Sequence, residues 1–252
     1  MYATVRILSD SGPVRVELAR WQGRLVVIKR LKMQSAFMMA RIRREAEVLK
    51  KLEHQNIVPL LGAEEDAVIY AYYPGVSLAE ALEVGAIPVK RSLAIIKDVL
   101  KALAYAHDHD VIHCDVKPGN ILVRGDKALL ADFGFAKDLA LASITEQDVM
   151  LGTPSHMAPE QFRGDRSDPR SDLYAAGAVL YHMISGVPPY GSQVINFLVG
   201  STGVALDPLP DEADDIAEVI YKSLSRSPDA RYQSAEEMLE ALEHTSEAVL
   251  AS

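Results

Sequence analysis

Two short motifs decide the fold of this 252-residue chain: His113-Cys114-Asp115-Val116-Lys117-Pro118-Gly119-Asn120 and, after a short turn, Asp132-Phe133-Gly134. They place four useful side chains at fixed offsets. Asp115 is a proton acceptor and Lys117 is a cation, while Asn120 and Asp132 offer oxygen ligands to a metal ion. The spacing therefore indicates a reaction that uses a base, a positive charge and a hard cation together.

Phosphoryl transfer needs these groups. It requires little covalent help from the protein, but it needs a positioned hydroxyl, neutralised phosphate oxygens and a placed magnesium ion. Asp115 can accept the hydroxyl proton, Lys117 can lie over the transferred phosphate, and Asn120 with Asp132 can hold the metal.

The order H-x-D-x-K-x-x-N followed by D-F-G resembles the catalytic core of eukaryotic-type protein kinases. The resemblance covers the chain from the first strand to about Leu242 and is closest to compact bacterial Ser/Thr protein kinases. It implies an α+β, bilobal fold forming a single kinase domain. Residues 1–72 would be a small β-rich N-lobe with one main helix, 73–75 the hinge and 76–252 a larger, mostly helical C-lobe. The lysine two places after Asp115 is typical of the Ser/Thr class.

Hydrophobic periodicity independently predicts the same organisation. In the first third, alternation predicts strands at 3–8, 14–19, 25–29, 58–61 and 67–72, with a helix over 36–53. Beyond it, the spacing predicts helices near 78–84, 89–109, 172–185, 213–225 and 234–248, and short strands at 121–123 and 128–131.

The resemblance also implies a nucleotide site that takes ATP with Mg²⁺ or Mn²⁺. Lys29 would contact the α and β phosphates, and Glu45 would orient its ammonium group. A strand lysine alone is ordinarily a surface charge, so the assignment depends on Glu45 at the family's spacing. The other residues that the resemblance assigns to the nucleotide pocket are Val16, Val27, Tyr72 and Leu122. For Arg41, Arg43 and Arg44 we expect a solvated helix face.

Several matches have structural roles in the family. The resemblance implies that His113 packs against Phe133, that Asp172 fixes the loop of residues 113–120, and that Glu160 pairs with Arg231. The segment 152–160 resembles the peptide-docking segment, which favours protein substrates over small molecules. His107 and His109 are expected to be helix-end residues with no special task.

The Gly-rich loop departs from the family pattern. Aligned through Val16, the three glycine positions are Ser9, Ser11 and Val14. Because glycines let backbone amides approach phosphates closely, this loop is expected to cover ATP poorly.

Three single residues also depart from the pattern. Val27 replaces the usual alanine under the adenine, and Tyr70 falls at the gatekeeper position, where it would close the space behind the nucleotide. Cys114 replaces the arginine that in many kinases holds a phosphorylated activation-loop residue. Activity should therefore not depend strongly on phosphorylation at Ser143 or Thr145. For the Cys114 thiol, redox sensing and burial as an inert group both stay open.

Composition limits partners and compartment. Residues 1–73 carry a charge balance of +4 and the remainder −13, which argues against nucleic acid as a partner. An acidic C-lobe suits basic substrates or is simply a solvated surface. A single cysteine, the lack of a signal peptide and the lack of a long apolar run predict a cytoplasmic protein with no membrane segment, either free-standing or an excised domain.

The sequence thus predicts a Mg-ATP-dependent Ser/Thr protein kinase that acts on protein hydroxyls. Two alternatives remain. The first is a pseudokinase that serves as a nucleotide-binding or scaffold module, which the lost glycines and Val27 favour. The second is a small-molecule kinase.

Overall fold

Five antiparallel strands form the sheet of the first lobe in the computed structural model, which describes residues 2–10, 12–33, 35–138 and 154–251. The strands lie in the order β1-β2-β3-β5-β4. Their bounds are β1 (Tyr2–Ser9), β2 (Val14–Trp21), β3 (Arg24–Leu31), β4 (Leu60–Ala63) and β5 (Ala67–Ala71).

Alternation along β3 directs its side chains to two faces, as the pleat of a strand requires. Val26 and Ile28 are fully buried in a small cluster on one face of the sheet. Val27 and Lys29 therefore point to the other face, where β3 pairs them with Tyr70 and Val68 of β5. This register places the predicted lysine beside the cleft between the lobes.

The main helix of the N-lobe, α1 (Ala36–Leu49), ends earlier than the predicted 36–53. After Leu49 the backbone turns tighter, since the amides of Lys51 and Leu52 bond to carbonyls three residues back. Leu52 is nevertheless buried. The apolar spacing thus continues past the end of the helix, which explains why the helix was predicted to extend to residue 53.

The strand predicted at 58–61 is displaced by two residues to β4. Ile57 forms a parallel bridge with Leu130, and the amide of Val58 donates to the Leu130 carbonyl at 3.0 Å. This segment therefore pairs with the second lobe before the chain enters the N-lobe sheet. The run of apolar residues in the sequence did not indicate which strand each part of this segment would pair with.

The second lobe is mostly helical, as predicted. Its helices are α2 (Leu78–Leu82), α3 (Val89–Asp108), α4 (Pro159–Phe162), α5 (Arg170–Ser185), α6 (Val194–Val199), α7 (Asp214–Ser223) and α8 (Ala235–Ala251). Helix α3 packs against α5 and α8. Almost every residue of α5 is buried, so α5 forms the centre of the lobe.

Short strands connect these helices: β6 (Val76–Ser77), β7 (Val111–Ile112), β8 (Ile121–Arg124), β9 (Lys127–Leu130) and β10 (Lys137–Asp138). One small sheet has the order β6-β8-β9, and β10 pairs with β7. The elements β6, β7, β10, α4 and α6 were not predicted, because two to six residues are too few to show a period. Within the described ranges, no helix is both long and apolar enough to cross a bilayer.

Candidate active site

The loop between β7 and β8, residues 113–120, is held by one carboxylate from α5. Asp172, 1% exposed, accepts the amide hydrogen of His113 at 2.8 Å and that of Cys114 at 2.9 Å. Cys114 has φ = +65°, a left-handed conformation that costs a residue with a side chain about 1 kcal/mol or more. The ring of His107 also lies 2.9 Å from Asp172. The expectation that His107 has no special task was therefore wrong.

Asp115, Lys117 and Asn120 meet at one carboxylate oxygen. The Lys117 ammonium lies 2.7 Å from Asp115 Oδ2, and the Asn120 amide donates to the same oxygen at 3.0 Å and to the Asp115 carbonyl at 2.8 Å. Asn120 is buried, whereas the Asp115 side chain is 22% exposed. A buried amide thus orients a carboxylate that a second molecule can reach.

Asp132 follows β9 and lies beside this loop. The amide of Ala131 donates to the Asn120 carbonyl at 2.8 Å, which brings the two predicted metal ligands onto adjoining backbone segments. The rings of His113 and Phe133 meet edge to face with centroids 4.6 Å apart, so the predicted packing of His113 is confirmed.

Lys29 and Glu45 form the predicted pair, and Asp132 completes a three-charge cluster. The Lys29 ammonium lies 3.0 Å from Glu45 Oε2 and 2.7 Å from Asp132 Oδ1. Burial would lower the pKa of Lys29, but the two carboxylates outweigh it and raise that pKa to about 12. Burial would likewise raise the pKa of Asp132, yet Lys29 lowers it to about 2. Both groups are therefore charged at neutral pH.

Gly134 packs closely on this cluster, so that a methyl group there would require the charged groups to shift by a few tenths of an ångström. A Cβ atom at Gly134 would lie 3.0 Å from Asp132 Oδ1, 3.1 Å from Glu45 Oε2 and 3.4 Å from Lys29 Nζ. The Arg41 guanidinium donates to the Gly134 carbonyl at 3.5 Å. Arg41 thus contacts the site, and the expectation of a solvated face was wrong for this residue.

A cavity of about 560 Å³ lies between the lobes. Of the eight residues assigned from the sequence to the nucleotide and metal sites, all but Glu45 line it: Val16, Val27, Lys29, Tyr72, Asn120, Leu122 and Asp132. Ser9 and Tyr70 line it as well. Asp115 and Lys117 are not among its lining residues. Sequence reasoning missed Ile7, Leu8 and Ala131. Alternation along β1 would place the adjacent Ile7 and Leu8 on opposite faces, and the register shift between Ile7 and Ser9 interrupts that pattern.

The linker beside this cavity requires a glycine. Strand β5 ends at Ala71 and β6 begins at Val76. A Cβ atom at Gly75 would lie 2.4 Å from the Val123 carbonyl oxygen and 2.8 Å from the Tyr73 ring. The chain can therefore pass β8 this closely only without a side chain.

Lys117 lines a second groove, of about 450 Å³, together with Ser155, His156, His182 and Pro188. The two imidazoles lie 3.1 Å apart, Nε2 to Nδ1. Burial, together with His182 and Lys117 nearby, lowers the pKa of His156 to about 3. His156 is thus neutral at physiological pH and gives this groove no positive charge.

The predicted Glu160–Arg231 pair is confirmed. The Arg231 guanidinium, 2% exposed, binds both carboxylate oxygens of Glu160 at 2.6 and 2.8 Å. Ser171 donates a further hydrogen bond to Glu160 at 2.6 Å. Burial would raise the pKa of Glu160, but the hydrogen bonds from Arg231 and Ser171 hold it below its usual value.

The donors at Asn120 and Asp132 fit a hard divalent cation. An ionised carboxylate and an amide oxygen are ligands that Mg²⁺ takes when substrate phosphates and water fill its other positions. Within the described residues no group of three or more His, Cys, Asp or Glu side chains could hold a metal ion. A site shared between two side chains and a phosphate substrate is compatible with that finding.

A model of the protein kinase domain family matches residues 10–244. The chain belongs to the protein kinase family. The Ser/Thr protein kinase PknB of Mycolicibacterium smegmatis is 35% identical over 261 aligned residues, covering 94% of this chain and 41% of that protein. PrkC of Bacillus subtilis, also a Ser/Thr protein kinase, is 32% identical over 253 residues, covering 94% of this chain and 39% of that protein. The chain thus spans about two fifths of the length of these curated relatives.

The segment that the sequence aligned with the family's Gly-rich loop lies between β1 and β2. Ser9 pairs with Val16, while Ser11 lies outside the described residues. The Asp10 carboxylate forms ion pairs with Arg15 at 3.0 Å and Lys32 at 2.9 Å. Ion pairs of this exposure stabilise little, so they hold the loop weakly.

Cys114 is buried, which agrees with its interpretation as an inert thiol. Its thiol donates to the carbonyls of Ile112 and Arg166 at 3.6 and 3.7 Å. The two activation-loop positions considered for phosphorylation, Ser143 and Thr145, lie outside the described residues.

Proposed function

We propose that this chain is an active Ser/Thr protein kinase domain that transfers the γ-phosphoryl group of ATP to hydroxyls of protein substrates. One observation carries the proposal: Lys117 and Asn120 both bind Asp115 Oδ2, at 2.7 and 3.0 Å. A base, a phosphate-binding cation and a metal ligand meeting at one atom constitute the arrangement that phosphoryl transfer uses.

Asp115 orients the substrate hydroxyl and accepts its proton. Its side chain is 22% exposed, so a substrate can reach it, and the buried Asn120 amide fixes its orientation. Lys117 is 42% exposed and bound to a carboxylate, which leaves its flexible side chain able to follow the transferred phosphoryl oxygens.

Lys29 holds the nucleotide phosphates, and Glu45 orients its ammonium group through their ion pair at 3.0 Å. Asn120 and Asp132 would hold the divalent cation, Mg²⁺ or Mn²⁺, which when bound neutralises charge on the phosphates. Four other residues of the cavity lining, Val16, Val27, Tyr72 and Leu122, would contact the nucleoside.

Protein substrates are supported by the second groove, since Lys117 and the docking segment residues Ser155 and His156 line it together. The names of the relatives, all Ser/Thr protein kinases, support the same class. The cytoplasmic location of the protein and the absence of a nucleic-acid partner remain predictions from the sequence.

Cys114 supports independence from activation-loop phosphorylation. The position holds a buried thiol bound to two carbonyls, and a thiol cannot form the bidentate pair that a guanidinium makes with a phosphate. We therefore expect the Ser143→Ala/Thr145→Ala double variant to keep its activity within tenfold of the parent. A larger loss would contradict this part of the proposal.

The pseudokinase alternative rests on the Gly-rich loop, where Ser9 and Val14 occupy glycine positions. Five groups of the site nevertheless remain together: Lys29, Glu45, Asp115, Asn120 and Asp132. A pure scaffold has no chemical need for them, so the active kinase is the function that the site supports best.

Incubation of the purified chain with labelled ATP, Mg²⁺ or Mn²⁺ and a generic basic protein tests the proposal. Label on the protein substrate should vanish in Lys29→Met and Asp115→Asn. The matched controls are Lys127→Met and Asp126→Asn, which change exposed residues of the β8–β9 hairpin. Absence of label together with thermal stabilisation by nucleotide would establish the pseudokinase, and label on a small metabolite alone would establish the small-molecule kinase.

A further inference from the structure

Tyr70 contacts the charge cluster as well as filling the space behind it. This residue lies in β5, 7% exposed, and its strand pairs with β3 on one side and β4 on the other. Its hydroxyl donates a hydrogen bond to Glu45 Oε1. From the sequence, Tyr70 was expected only to close the back of the nucleotide pocket.

The cluster is short of positive charge, which gives that hydroxyl a task. Among the residues that the structure describes, Lys29 is the one ammonium group that binds the carboxylates of both Glu45 and Asp132. Glu45 is 1% exposed, and its burial, with the charge on Asp132, raises its pKa, while Lys29 opposes the rise. A buried carboxylate with too few donors takes up a proton, and a protonated Glu45 no longer attracts the ammonium group.

A phenol is suited to this deficit because it donates a hydrogen bond without bringing a second cation. A guanidinium or ammonium group at the same place would compete with Lys29 for Glu45. The tyrosine is also held by β5, an interior strand that pairs with β3 and β4, so its hydroxyl ties α1 to the sheet. This tie does not involve Lys29.

We propose that Tyr70 is a positioning residue: its hydroxyl keeps Glu45 ionised and attached to the sheet, and Glu45 in turn holds Lys29 in place for ATP. This inference rests on the proposed function, but it concerns nucleotide binding and not the transfer step. It assigns the gatekeeper side chain a polar role beside its steric one.

The groups that face Glu45 and its partners come from four elements. Lys29 projects from β3 and Asp132 follows β9, while Arg41 of α1 binds the carbonyl of Gly134. The ring of His113 lies close enough to Asp132 to lower the pKa of that carboxyl. Tyr70→Phe leaves all of these groups in place, so a change in pH dependence reports the loss of the phenol alone.

The test measures the equilibrium affinity of the full chain for a fluorescent ATP analogue from pH 5 to 9 in wild type, Tyr70→Phe, Tyr70→Met and the control Tyr221→Phe. Tyr221 is 41% exposed on α7. We expect Tyr70→Phe to lower the affinity about tenfold at pH 7, because a hydrogen bond to a charged group is lost. The acid limb of its pH profile should move upward by about one unit. Thermal unfolding shows whether each variant is folded. Steady-state kinetics show whether the substitution changes the KM for ATP, as a positioning role in nucleotide binding requires, or kcat.

A purely steric Tyr70 would give a different result. Tyr70→Phe would then bind within twofold of wild type with an unchanged acid limb, and only Tyr70→Met would admit inhibitors with a bulky group behind the nucleotide. That outcome overturns the inference. As a second measurement, Tyr70→Phe should have no further effect in a Glu45→Gln background, where no carboxylate remains to be kept ionised.

The two proposals fail separately. A chain that binds nucleotide with the Tyr70-dependent acid limb but transfers no label refutes the proposed function and supports the positioning role. If the chain transfers label but its affinity for nucleotide does not depend on the Tyr70 hydroxyl, only the positioning role is refuted. A wild-type chain that binds no nucleotide overturns both.

Discussion

Removal of the Arg231 guanidinium should destabilise the C-lobe more than any exposed substitution. In Arg231→Met the Glu160 carboxylate stays buried but keeps only the Ser171 hydroxyl among the side-chain donors described above. Arg231 also binds the carbonyls of Ser225 at 2.8 Å and Arg226 at 3.0 Å, which lose their donor. The side chain therefore connects the docking segment to the loop after α7.

The magnitude follows from the burial of both partners. Breaking a buried pair by removing one partner costs about 3–5 kcal/mol, because the remaining charge is uncompensated. Against a total stability of about 5–15 kcal/mol this is a large fraction. With roughly 2–4 °C per kcal/mol for a domain of this size, the melting temperature should fall by about 6–20 °C.

The effect should depend on pH with a defined sign. In the wild type the pKa of Glu160 is held below its usual value, so the pair stabilises the fold above about pH 4.3 and that contribution is lost as pH falls further. Without Arg231, burial raises the pKa of Glu160, and the carboxyl can become neutral at mildly acidic pH. The cost of Arg231→Met should therefore shrink between pH 7.5 and pH 5.

Urea unfolding of wild type, Arg231→Met, Glu160→Gln and the double variant, followed by circular dichroism, measures these free energies. The double variant removes both charges and should cost less than the sum of the single variants. Arg163→Met, an exposed control, should stay within about 0.5 kcal/mol of wild type. A loss below about 1 kcal/mol for Arg231→Met, or strict additivity, would refute the reasoning.

Three further predictions concern the site and its support. Gly134→Ala should lower nucleotide affinity about tenfold while the chain stays folded, since the added methyl group overpacks the cluster; unchanged affinity in a fluorescence titration would contradict this. Asp172→Ala leaves two buried amides without an acceptor and should cost about 2–4 kcal/mol in urea unfolding, whereas a cost under about 1 kcal/mol would be inconsistent with their hydrogen bonds. Wild type should lose about 1–2 kcal/mol between pH 7.5 and 5 through His156, because the unfolded chain takes up the proton below about pH 6.5 while the folded chain, with a pKa of about 3, does not. His156→Gln should remove this part of the loss, and a variant with the same pH dependence as wild type would disprove it.

Residues close together in the chain were predicted well. Asp115, Lys117 and Asn120 lie within six positions, so their spacing alone brings them to one loop, and the structure joins them at one oxygen. The long amphipathic segments were also recognised, because a helical period shows clearly over many residues: helix α3, Val89–Asp108, matches the predicted 89–109 within one residue.

Contacts between distant segments were predicted only where the family pattern supplied them. Glu160 and Arg231 were paired on that basis, but the contact of Tyr70 with Glu45 and that of His107 with Asp172 were missed. Tyrosine and histidine in apolar segments look like core or helix-end residues. Their polar atoms acquire a role only through the partner that packing brings near.

The sequence by itself determined the two-lobed protein kinase fold, the chemical groups of the site and the loop that carries Asp115, because local spacing and hydrophobic period depend on neighbouring residues. Tertiary structure alone decided how those groups share charge: Lys29 lies between two carboxylates, and Tyr70 supplies Glu45 with a donor that adds no charge. The physical reason is that protonation and orientation depend on burial and on every charge within a few ångströms, and these neighbours come from segments up to 103 residues apart.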